Sequence, residues 1–269
     1  MAVRQGDMLD KRRLLRLLKV TRPETIFHLA SLTDIPASWA DPQAYFDVNV
    51  NGTINLLEAV RKEFSPLVII SCSSAEYAPS DAPLCEDAPL IPSNPYGVSK
   101  LAQDQIADVY AKAYSLNIIR VRPFLIYAER MEKGVCADIS RQIALIESGG
   151  QEEILYVGNL TPIVDVLDIR DAIDGFMTIC NRGKPGEVYN LSSGKGCSIQ
   201  EVANLLLSLS NKKIEVRIDE KKLRPKDHTR LVGDNSRLRS LGWSQQIPLE
   251  ITLKQILNFW RQRLQSERS

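Results

Sequence analysis

Glycine is scarce at the front of this 269-residue chain: of its 14 glycines, only Gly6 and Gly52 precede Gly97. That excludes from the stretch a glycine-rich turn of the kind that cradles a pyrophosphate at a helix N-terminus. Histidine is scarcer still. His28 and His228 stand alone and far apart, so no histidine-based metal centre is expected. The five cysteines, Cys72, Cys85, Cys136, Cys180 and Cys197, include no C-x-x-C pair. They read as reduced thiols of a cytoplasmic protein, not as a disulfide framework or zinc knuckle. Apolar runs such as Leu67 to Ile70 fall far short of the roughly 20 residues of a membrane helix. Met1 to Asp10 has no apolar core, so no secretory signal is expected. Excess charge is lacking too: 34 basic against 33 acidic residues leaves +1, which gives no reason to expect a nucleic-acid or membrane partner.

What is present has the texture of an α/β protein. Apolar β-branched runs alternate with helical patterns: Thr25 to Leu29 then Asp41 to Lys62, Leu67 to Ser71 then Tyr96 to Tyr114, Ile118 to Val121 then Asp138 to Glu147. Strands apolar throughout, as in Leu67-Val68-Ile69-Ile70, suit a parallel sheet covered on both faces. The helix from Tyr96 is amphipathic, and Asn94-Pro95 supplies its start. After about Leu155 the strands shorten (Leu155 to Val157, Glu187 to Leu191, Lys213 to Ile218), and a surface helix is expected over Leu249 to Leu264. The reading is a Rossmann-like doubly wound sheet over 1–154 and a smaller α+β lobe over 155–269, with segments crossing between them. Ligands sit at the carboxyl edge of such sheets.

Tyr96-Gly97-Val98-Ser99-Lys100 puts a phenol and an ammonium on one helix face, and Ser71-Cys72-Ser73-Ser74 puts hydroxyls just beyond an apolar strand. A phenol with a reference pKa of about 10 is a poor proton donor near neutrality, and a nearby cation lowers that value. Lys100 is therefore expected to activate Tyr96, while Ser73 holds a carbonyl oxygen. Cys72 reads as a buried strand cysteine instead of a nucleophile, and His28 as a satisfied residue at a strand end. Trp39, Trp243 and Trp260 read as packing residues.

Ser73, Tyr96 and Lys100 together resemble the Ser–Tyr–Lys triad of the extended short-chain dehydrogenase/reductase family. The resemblance continues through Gly6 to Asp10, His28-Leu29-Ala30-Ser31, Asn49-Val50-Asn51-Gly52-Thr53 and Arg122-Pro123-Phe124. Ser73 to Tyr77, Val157 to Leu160, Gly186 to Asn190, Arg224 to Asp227 and Leu231 to Ser236 are similar to the branch that reduces GDP-4-keto-6-deoxy-D-mannose. Related dehydratases have a glutamate where this chain has Ala75, and losing that base favours reduction over dehydration. The resemblance implies catalysis by Ser73, Tyr96 and Lys100. It implies that Asp7, Met8, Ala30, Asn49, Tyr96, Lys100 and Pro123 contact NADP or NAD, and that Ser74, Asn159, Arg224 and Asp227 contact a nucleotide-sugar. It also implies a homodimer through the helices Asp41 to Lys62 and Tyr96 to Tyr114.

Several features depart from the family. The match starts at the end of what is expected to be the third strand, Val3 to Asp7. Since a βαβ unit takes about 30 residues, roughly 40 residues of strand, turn, helix and strand have no counterpart. The strand Thr25 to Leu29 is thereby expected to carry an open apolar edge. Leu125 replaces an asparagine that contacts substrate, Val164 replaces an arginine, and Tyr127-Ala128-Glu129-Arg130 replaces a Gly/Pro-rich loop. Two other readings therefore stand: a non-catalytic relative acting as a binding or regulatory subunit, and a nucleotide-sugar 4-epimerase.

Overall fold

Apolar β-branched segments pair into a parallel sheet, and the helices between them cover both its faces. The computed structural model describes residues 3–63, 65–223 and 230–267. Helix α1 (Lys11–Thr21) is capped by the Asp10 carboxylate and leads to strand β1 (Thr25–His28). Two short helices, α2 (Ile35–Ala40) and α3 (Pro42–Tyr45), run through a π-helical turn (Phe46–Asn51) into α4 (Gly52–Glu63). The single helix expected over Asp41 to Lys62 is thus one helical run with a π-turn inside it. Strand β2 (Leu67–Ser71), a 3₁₀ turn (Ser74–Glu76), helix α5 (Pro95–Tyr114) and strand β3 (Ile118–Pro123) follow. Then come β4 (Leu125–Tyr127), α6 (Val135–Glu147), β5 (Ile154–Val157), β6 (Ile163–Asp168) and α7 (Ile169–Arg182). The chain ends through β7 (Val188–Leu191), β8 (Gly196–Ser198), α8 (Ile199–Ser208), β9 (Glu215–Ile218), β10 (Arg230–Leu231), α9 (Ser236–Ser240) and α10 (Leu249–Ser266).

The main sheet has the order β1-β2-β3-β7, all parallel. Val68, Ile69 and Ile70 of β2 are fully buried, as an interior strand covered on both faces requires. Leu18, Leu56, Leu57, Val60 and Ala107 pack one face, and Ile179, Leu191, Leu238 and Trp243 pack the other. Strand β1 pairs only with β2, so one edge is open among the described residues. Phe27 there is 38% exposed and Leu29 just beyond it 57%. Residues 3–7 form no ladder, contrary to the expected strand. An extended segment becomes a strand only by pairing, and none of the described residues pairs with it.

A second core joins α6, α8 and α10 beneath β5 and β6. Here β4 and β10 flank β6, β8 lies antiparallel to β6, and β5 pairs with β9. Two crossings link the halves: β7, late in the chain, completes the main sheet, while α6, from before residue 155, belongs to the second core. No helix among the described residues is long and apolar enough to cross a membrane.

Candidate active site

The site forms where the carboxyl end of β2 meets the N-terminus of α5. Asn94 caps α5 by accepting from the Gly97 amide at 2.8 Å, and Pro95 occupies the first turn, where its missing N–H costs nothing. Gly97 has no alternative at this spot: a Cβ would stand 2.5 Å from the Ala75 carbonyl oxygen and 2.9 Å from Pro92 Cβ. That close approach seats the turn after β2 against α5. Tyr96 Oη donates to Ser73 Oγ at 3.1 Å, so the two hydroxyls meet. Tyr45 packs edge-on against the Tyr96 ring, with centroids 6.3 Å apart.

Lys100 is buried in the same seam but faces elsewhere. Its Nζ donates to the Ser71 carbonyl and to Gln103 Oε1, both at 2.5 Å, and reaches Ser31 Oγ at 3.4 Å. The expectation that Lys100 lowers the Tyr96 pKa is corrected here. Burial pushes Tyr96 up to about 12, with Glu76 and Cys72 adding to the rise, and the hydrogen bond with Ser73 is what opposes it. Burial also pushes the Lys100 ammonium below its ordinary value.

Asn49, on the π-turn, ties β1 to α5. Its Nδ2 donates to Ser99 Oγ and the Leu32 carbonyl, and its Oδ1 accepts from the Leu32 amide and Ser31 Oγ. Beside it, Thr53 Oγ1 donates to the Asn49 carbonyl and accepts from Gln103 Nε2. His28 Nε2, 2.8 Å from that hydroxyl, must then be the protonated nitrogen of a neutral ring. Burial first, and Lys100 second, bring its pKa down to about 4. His28 is thus satisfied at a strand end, as expected.

A charged cluster under the site was not foreseen. Arg122 Nε donates to Asp104 at 2.9 Å and lies 3.4 Å from Glu76, while its Nη1 donates to Tyr77 Oη and the Glu86 carbonyl. Cys72, Glu76 and Asp104 offer ligand atoms within 4.8 Å of one another, but these carboxylates face a guanidinium, and burial pushes the Cys72 thiol up. The sequence did carry one signal for Glu76: Ser73-x-x-Glu76 is a capping-box pattern, and both of its bonds form.

The other expected residues lie around this centre. Ala30 is exposed just past β1, and Pro123 closes β3 beside Leu191. Asp7 Oδ1 accepts from the Leu9 amide, and Met8 packs against Gly52 at the head of α4. Ser74 is buried in the 3₁₀ turn. Asn159 is exposed after β5, where its Oδ1 accepts from the Thr161 amide and hydroxyl. Its neighbour Gly158 abuts the Lys222 carbonyl, so Asn159 borders the segment leading to Arg224. Arg224 and Asp227 themselves lie outside the described residues. Leu125 is partly exposed in β4, and Val164 pairs with Cys197. Asp165 is taken up by the Ser193, Gly194 and Gly233 amides.

Comparison with known proteins matches this geometry to a family. A GDP-6-deoxy-D-mannose reductase of Pseudomonas aeruginosa is 31% identical over 251 residues, spanning 91% of this chain and 83% of that protein. The structure of RMD from Pseudomonas aeruginosa complexed with NADPH superposes with a TM-score of 0.90 at 29% identity, covering 97% of this chain and 88% of that one. A UDP-glucose 4-epimerase of Lacticaseibacillus casei is 27% identical over 256 residues, 89% of this chain and 77% of that protein. The family model described as GDP-mannose 4,6 dehydratase matches residues 1–256. This chain belongs to that family, within the extended short-chain dehydrogenases/reductases.

Proposed function

We propose that this protein is an NAD(P)-dependent reductase of a nucleotide-linked 4-keto-6-deoxy sugar, with GDP-4-keto-6-deoxy-D-mannose as its substrate. The observation that carries the reading is the buried pair of hydroxyls, Tyr96 Oη on Ser73 Oγ, beside the buried ammonium of Lys100. The residues present fit the nicotinamide-ribose end of the cofactor. Lys100 Nζ and Ser31 Oγ offer donors to ribose hydroxyls, and Ala30 and Pro123 lie at the carboxyl ends of two sheet strands. The cofactor, when bound, supplies the hydride.

This chain's residues supply the proton and the orientation. Tyr96 Oη, whose proton now rests on Ser73 Oγ, donates it to the oxygen at C4 of the sugar. Ser73 holds that oxygen through its hydroxyl. A phenol held at about 12 keeps its proton until an oxygen of rising basicity takes it. Lys100 holds the ribose, and the Ser73 hydroxyl is the group bonded to the phenol oxygen. Asn159 and Ser74 are assigned to the nucleotide-sugar, and Arg224 and Asp227 are assigned to it by their chemistry, since a guanidinium binds two pyrophosphate oxygens at once.

NADPH oxidation in the presence of GDP-4-keto-6-deoxymannose tests the reading. Tyr96→Phe is expected to lower kcat by about 10²–10⁴-fold, the worth of a placed general acid. Undiminished oxidation by that variant would refute the assignment. The match to a UDP-glucose 4-epimerase favours a second reading, 4-epimerisation. Sugar interconversion with no net consumption of NADPH would select it. Failure to bind NADPH or NAD would select the non-catalytic reading. The proposed cytoplasmic homodimer pairs α4 and α5 across two copies, where Val98 and Val109 are exposed. Sedimentation is expected to give twice the chain mass.

A further inference from the structure

We propose that Glu76 is a positioning residue for Ser73: one carboxyl oxygen holds the Ser73 amide and so fixes the hydroxyl that faces Tyr96. The inference rests on the roles given above to Ser73 and Tyr96.

Burying a carboxyl group is costly unless its bonds are made inside the fold, and Glu76 is 0% exposed. Its Oε1 accepts from the Ser73 amide at 2.7 Å. In return, Ser73 Oγ accepts from the Ala75 amide at 3.1 Å, on the same oxygen that receives the Tyr96 proton. The 3₁₀ turn is only three residues long, and this reciprocal box adds to the two backbone bonds that hold it, from the Glu76 amide to the Ser73 carbonyl and from the Tyr77 amide to the Ser74 carbonyl. Ala75 is in turn wedged against Gly97 at the head of α5. Glu76 Oε2 has no hydrogen-bond partner; Arg122 Nε, 3.4 Å away, is bonded to Asp104 instead. The directional bond this carboxyl makes is therefore the one to Ser73.

The test compares Glu76→Ala with Glu76→Gln in the full chain. Two readouts are taken: hydrogen exchange at the Ser73 amide by NMR, and steady-state turnover. The alanine variant is expected to lose Ser73 protection and about 10²-fold in kcat, the scale of an ångström-level misplacement, with the KM for NADPH unchanged. The glutamine variant keeps the acceptor and is expected to restore both. Glutamine as impaired as alanine would overturn the proposal, because the charge opposite Arg122 would then be what matters. Parental exchange and kcat in the alanine variant would overturn it as well. A parental protein that reduces no nucleotide-sugar defeats the functional reading, whereas the Ser73 exchange contrast still judges Glu76 by itself.

Discussion

The two flanks of the main sheet are built from similar apolar strands yet meet their surroundings in opposite ways. On the β3 side the buried Arg122 is answered by Asp104, Tyr77 and the Glu86 carbonyl, and Tyr77 Oη by Asn190. On the β1 side the strand edge is open among the described residues, Phe27 and Leu29 are exposed, and α1, which leads into β1, borders a cavity of about 650 Å³ whose charged lining is Arg4, Asp10, Arg12, Arg13 and Arg16. None of those four arginines makes an ion pair among the described residues. Composition does not separate the flanks. Pairing does: β3 has neighbours on both sides and β1 has one. The groups proposed for catalysis lie between them, anchored to the answered side.

Removing the anchor is the harshest way to break this contrast. Arg122→Leu takes one of two arginines from the buried Asp104 carboxylate, leaving Arg120 alone on it, and leaves the Tyr77 hydroxyl and Glu86 carbonyl without a donor. Breaking a buried pair in this way costs about 3–5 kcal/mol. Urea unfolding should show that loss together with a lowered Tm. A cost under about 1 kcal/mol would mean the cluster adds little beyond its packing.

Much of this was legible in the sequence, for reasons that can be named. Strands β2 and β3 and helix α5 announce themselves through apolar runs and helical spacing, and Asn94-Pro95 marks where α5 begins. The meeting of Ser73 and Tyr96 follows from those elements. The direction of Lys100 does not, because it depends on Gln103 one turn further along and on a carbonyl at the end of β2. The Glu76–Arg122–Asp104 cluster joins three elements, and no local pattern links them. Helix α1 was missed although Leu14 and Leu18 have helical spacing; its many arginines hid an amphipathic face.

A milder probe acts where β1 ends. The His28 imidazole is held neutral with a pKa of about 4, against about 6.5 in an unfolded chain. The unfolded state therefore binds a proton first as pH falls. The stability this group contributes is intact above about 6.5 and is lost as pH drops toward 4, by on the order of 3 kcal/mol. His28→Gln can still bond Thr53 and has no proton to gain. Unfolding free energies measured from pH 7 to 4 should thus fall less steeply in the variant. Parallel curves would show that His28 titrates normally and that the seam beside β1 is open to water.

The smallest effect on stability is expected at the open edge itself. Phe27→Lys alters a side chain that is already 38% exposed, so ΔG of unfolding should move by no more than about 0.5 kcal/mol. Self-association should respond far more. An unpaired edge flanked by apolar side chains templates the addition of another strand, and a lysine placed there opposes it by charge and desolvation. Light scattering during slow heating should therefore start later in Phe27→Lys than in the parent at equal Tm. The same substitution made at Ile251, an exposed residue of α10 away from any strand edge and from α4 and α5, serves as the reference. Equal delay in both variants would assign the effect to net charge, and the contrast between the flanks would lose its physical consequence.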